Sequence, residues 1–79
     1  MTRERLTEEI IELIQGLLDD DEIQVSGSST ASILEEWDSM LQIELIASLE
    51  EQYSIKISLN EASRLSSIQA IVDYIQANL

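Results

Sequence analysis

The sequence predicts an all-α fold of four helices, with a long loop between helices 1 and 2 and a short third helix. Three observations predict it. Pro is absent and Gly occurs twice in 79 residues, which suits helices better than strands joined by tight turns. The chain is 44% hydrophobic but only 4% aromatic and has no Phe, so its core must be aliphatic, built from Leu and Ile. Those residues recur at helical spacing in separate runs along the chain. Residues 1–79 are expected to form a single domain with a modest core.

The first helix is expected from Arg3 to Leu18. Leu6, Ile10, Leu13, Ile14 and Leu17 form its stripe, and Ile11 and Leu18 widen it, as in a helix buried between neighbours. Gly16, inside this run, either allows close packing or marks an early end. Asp19 to Trp37 is a long connection with an acidic front and a Ser/Gly/Thr-rich middle, and Ile23, Val25, Ile33, Leu34 and Trp37 are expected to pin it to the core. Its acidic run is no calcium loop. Counted from Asp19, Asp21 stands at position 3, but Ile23 and Gln24 stand at 5 and 6, where Asp and Gly are needed. Trp37 reads as a loop anchor.

The second helix opens at Asp38-Ser39 and runs to about Gln52. Either residue can start it, since the side-chain oxygens of both accept from free N–H groups of a first turn. If Ser39 is the cap, Gln42 completes a capping box. Either way the Ser39 hydroxyl stands at the positive end of a helix, where an anion is welcome. At about 100° per residue, Leu45, Ile46, Leu49 and Tyr53 make a core stripe. Met40, Ile43 and Ala47 fall on nearly the opposite side, flanked by Glu44, Glu50 and Glu51, with Ser39 at the upper edge. A helix apolar on two sides is either sandwiched or offers one side to a partner; carboxylates that want water favour the partner surface.

Ser54 to Ser58 alternates like a strand but has no partner strand, so an extended connector with Ile55 or Ile57 inward is expected. A short helix from Asn60 or Glu61 to Leu65, capped by Asn60, should follow. The last helix, capped by Ser66 or Ser67, runs to about Asn78 on Ile68, Ile71, Val72 and Ile75. Tyr53 and Tyr74 read as core-edge residues.

Sixteen acidic residues face four basic ones, for a net charge of −12. That disfavours nucleic acid and anionic membranes and favours basic protein partners. No run approaches the ~20 apolar residues of a membrane span, and the N-terminus lacks a signal-peptide apolar region, so a cytoplasmic monomer is expected. Without His or Cys there is no imidazole to activate Ser39, no thiolate nucleophile and no imidazole or thiolate metal site. No Gly-rich phosphate loop exists either. The chain is therefore expected to be no enzyme and to hold no metal. Any reactive group must be added to it.

Trp37-Asp38-Ser39-Met40, followed by Glu44-Leu45-Ile46 and Leu49-Glu50-Glu51, resembles the phosphopantetheine attachment motif of acyl carrier proteins. Glu61-Ala62, Ser66-Ser67-Ile68-Gln69-Ala70 and Asp73-Tyr74-Ile75 resemble that family's third and fourth helices. The resemblance implies a four-helix bundle. It implies that a separate phosphopantetheinyl transferase moves 4′-phosphopantetheine from coenzyme A onto Ser39, beside Asp38, and that the arm's thiol carries acyl thioesters. The implied partners are acyl-loading and acyl-processing enzymes of fatty-acid, polyketide or other specialised biosynthesis, docking on Met40, Ile43, Glu44, Ala47, Glu50 and Glu51. Two departures stand out. Glu36 replaces a frequent Gly, and Leu41 replaces a frequent acid, an apparent loss of one docking charge that points to dedicated partners. The Gly-Gly-x-Ser typical of peptidyl carriers is absent, so an aminoacyl carrier is the alternative reading, followed by an unmodified helical adaptor.

Overall fold

A computed structural model describes residues 2–79. Four helices are found among them: α1 Arg3–Leu18, α2 Ser39–Tyr53, α3 Leu59–Ala62 and α4 Ile68–Asn78. The only β pairing among the described residues is an isolated bridge, Thr30 to Ser67. The fold class and the bounds of α1, α2 and α4 are those the apolar spacing predicts, within a residue.

One aliphatic core joins the elements. Leu6, Ile10 and Ile14 of α1 meet Leu41, Leu45 and Leu49 of α2 and Ile68, Ile71, Val72 and Ile75 of α4. Each set repeats every three or four residues, so each helix turns one face inward. Fully burying such side chains contributes about 1.5–3 kcal/mol apiece, against the chain entropy lost on folding. Arg3 ties α1 across α4, pairing with Asp73 at 2.6 Å and donating to Gln69 and Gln76. Tyr53 ties α2 to α1 by donating its hydroxyl to Glu9 at 2.9 Å.

The long loop is held by its backbone. The Gln15 amide donates to the Asp20 and Ile23 carbonyls and accepts from the Val25 N–H. The buried Ser29 accepts from Ser26 N–H, and its carbonyl accepts from Ile68 N–H. Trp37 is buried as an anchor, while Val25 and Leu34 pack on the core. Ile33 is not a pin: it is 70% exposed.

Several local expectations are corrected. Asp38, not Ser39, caps α2, its carboxylate accepting the Leu41 N–H at 3.0 Å. The Ser39–Gln42 capping box therefore does not form. α3 begins earlier than Asn60, capped by Ser58 in a full capping box with Glu61. The Ser58 amide and hydroxyl hold the Glu61 carboxyl below its ordinary pKa. Gly16 neither ends α1 nor admits a close neighbour, since a Cβ there would meet nothing within 4 Å. Of the two connector isoleucines, Ile57 is the buried one.

Candidate functional site

The site is built on the start of α2. Trp37 is fixed first. Its ring is buried, and its indole N–H donates to Gln42 Oε1 at 2.7 Å. Asp38 follows in extended backbone, with φ −99° and ψ −171°, and its side chain turns back to cap the first turn. Ser39 is then the first helical residue, and it is exposed. Because Asp38 holds the cap, the Ser39 hydroxyl is not committed to it. The first N–H groups of a helix have no partner inside the helix and form its positive pole. An exposed oxygen nucleophile beside that pole suits an attached phosphodiester. The nearest carboxylate, Asp38, already accepts one hydrogen bond at its Oδ1, which lessens its repulsion of an anion.

Beside Ser39 lies a hollow lined by Ala31, Trp37, Gln42, Ser63 and Ser66. Gln42 closes one side of it, donating to the Ala62 and Leu65 carbonyls at 2.9 and 3.1 Å. Beyond Gln42, an apolar groove of about 390 Å³ runs between α2 and α3, lined by Ile43, Ile46, Ala47, Leu59 and Ala62.

The outward strip of α2 is where helical spacing predicts it. Met40 is 64% and Ile43 68% exposed, and Ala47 is exposed between them along the helix. Glu44 and Glu51 are exposed as well. Met40 and Glu44 border a second hollow toward α1, with Leu17, Ile23 and Asp20. Ile43, Ala47 and Glu50 border the α2–α3 groove. Glu50 departs from expectation. It is half-buried, and its Oε2 accepts the Ile57 N–H at 2.9 Å, so it also holds the connector. Leu41, read as a missing docking charge, is buried in the core; its position never faces a partner.

Two residues of the site escape sequence reasoning. Leu59, 92% exposed at the groove's rim, was assigned to the connector. The Ser58-x-x-Glu61 pattern could have placed it inside a helix, because it is the signature of a capping box. Gln42 had no local signal, since its partners lie 20 and 23 residues away.

Two comparisons bear on this geometry. Residues 8–75 match the family model described as the phosphopantetheine attachment site. The fold is similar to the solution structure of a protein from Anaplasma phagocytophilum assigned as an acyl carrier protein. That match has a TM-score of 0.82 and 31% identity, and covers 99% of this chain and 92% of the other. No helix among the described residues is long and apolar enough to cross a membrane. With the motif, the four helices and the full-length match in agreement, the chain belongs to the acyl carrier family of phosphopantetheine-binding domains, non-catalytic carriers that hold a covalently attached 4′-phosphopantetheine.

Proposed function

We propose that Ser39 is the attachment point and that the protein carries acyl groups as thioesters on the arm for fatty-acid, polyketide or another specialised biosynthesis. The observation that carries this reading is the exposed Ser39 hydroxyl at the first position of α2, free of the cap that Asp38 makes. The arm supplies the thiol this chain lacks. The chain's own residues do the rest. Asp38 shapes the turn, Trp37 anchors the loop that leads into it, and the helix pole favours the phosphate.

Docking falls to the outward strip of α2. Met40, Ile43 and Ala47 offer an apolar contact, and Glu44 and Glu51 offer charge to basic surfaces of the transferase and of acyl-loading and acyl-processing enzymes. Glu50 contributes from the groove side while holding the connector. A net charge of −12 opposes self-association, in keeping with a monomer.

Intact mass tests the reading. With coenzyme A, magnesium and a broad-specificity phosphopantetheinyl transferase, the protein gains one phosphopantetheine and Ser39→Ala gains none. A wild-type mass that stays bare, or an Ser39→Ala mass that rises, overturns it.

A further inference from the structure

Gln42 is the most heavily engaged side chain near the site. Its Oε1 accepts from the Trp37 indole, and its Nε2 donates to the last carbonyl of α3, on Ala62, and to that of Leu65 beyond it. The amide cannot be turned over, because that would set NH₂ against the indole donor and oxygen against two carbonyls. α3 has no buried residue of its own, so these bonds are a large share of what holds it to α2. The same side chain stands between two spaces. The hollow beside Ser39 and the apolar α2–α3 groove have only Gln42 and Ser63 in common among their lining residues.

We propose that Gln42 is a specificity-determining residue for cargo: a latch that pins α3 to α2 and bars a chain tethered at Ser39 from the apolar groove until burial of that chain outweighs the latch's three hydrogen bonds. The proposal rests on the Ser39 reading above. Each such bond is worth roughly as much as one buried methylene or slightly more, so about four methylenes mark the threshold. Short or polar acyl groups stay outside. Longer apolar ones enter, and in doing so they release the Trp37 indole and loosen α3. The groove's volume, about 390 Å³, lies within the range of small-ligand sites.

The test has an unloaded and a loaded arm. In the unloaded protein, Gln42→Glu is isosteric. It keeps the acceptor for Trp37 but faces the Ala62 and Leu65 carbonyls with oxygen. Amide exchange at Ser63, Arg64 and Leu65 should quicken about tenfold, two hydrogen bonds being lost, while the Trp37 indole N–H stays protected. Unchanged exchange overturns the latch. In the loaded arm, butanoyl- and octanoyl-phosphopantetheine are attached and intact mass confirms loading. A bare mass condemns the Ser39 reading and leaves the unloaded arm to judge the latch. In wild type, octanoyl should give NMR contacts to Ile46 and Ala62 and shift the Trp37 indole N–H, and butanoyl should do neither. In Gln42→Glu and Gln42→Ala, butanoyl should already reach Ile46 and Ala62. The same chain-length threshold in wild type and both variants overturns the proposal.

Discussion

At the scale of single residues, burial decides what each polar group can do. Tyr53 is the clearest case. Burial first, and then the hydrogen bond it donates to Glu9, push its phenol up to about 12. Its folded pKa thus lies above the ordinary value of about 10. The contact stabilises the fold fully below pH ~10, and the contribution is lost as pH rises through ~12. A phenolate absorbance titration should show a tyrosine ionising near pH 12, and Tyr53→Phe should remove that step. Glu44 is exposed and, unlike Glu50, holds no backbone group in place, so its charge is available to a partner. Glu44→Lys should slow transferase loading about tenfold at low salt, with kcat/KM recovering toward wild type as salt screens the charge. An unchanged rate would remove Glu44 from the docking surface. The outward strip of α2 was legible at this scale because helical spacing alone sorts Met40, Ile43 and Ala47 from Leu45 and Leu49. The role of Gln42 was not. Nothing within a turn of it announces an indole on one side and two carbonyls of another segment on the other.

At the scale of elements, the long helices were legible and the short one was not. α1, α2 and α4 each bury a periodic face, and that period is written in the sequence. α3 is four residues long and buries none of them, so it has no apolar period and only its cap marks where it begins. Helix ends also carry local costs. Asp19 closes α1 in the left-handed region, with φ 51°, and Ser54 closes α2 there with φ 55°, positions that Gly occupies with least strain. The acidic run after α1 further sets negative charge at the negative pole of that helix, with no basic residue in its last turn. Gly16 offers the simplest correction. It lies within α1 with open space around it, so Gly16→Ala should stabilise the protein by about 0.5–1 kcal/mol. For a domain of this size that raises the melting temperature by roughly 2–8 °C. A lowered melting temperature would mean that the open space is occupied in solution.

At the scale of the whole molecule, charge was legible from composition, while the path of the long loop was not. A net charge of −12 is held on a body whose radius of gyration is 11.5 Å. Ion pairing among the described residues is limited to Arg3–Asp73 and the looser Arg5–Glu9. At ~10 mM salt the screening length, about 30 Å, spans most of the molecule, and at ~150 mM it falls to about 8 Å. Raising salt across that range should therefore lift the melting temperature, by a few degrees if about 1 kcal/mol of self-repulsion is screened. A fall would mean that the few ion pairs outweigh the repulsion. The loop from Asp19 to Trp37 escaped sequence reading because it is fixed by hydrogen bonds from Gln15 and to Ser66 and Ile68, groups whose meeting depends on the finished packing. A segment that contributes nothing to the interior can be rewritten without toll on the fold. The third helix is that segment here, and its outermost leucine and inner alanine are the two letters through which a new preference for chain shape could be spelled, leaving the rest of the molecule as it is.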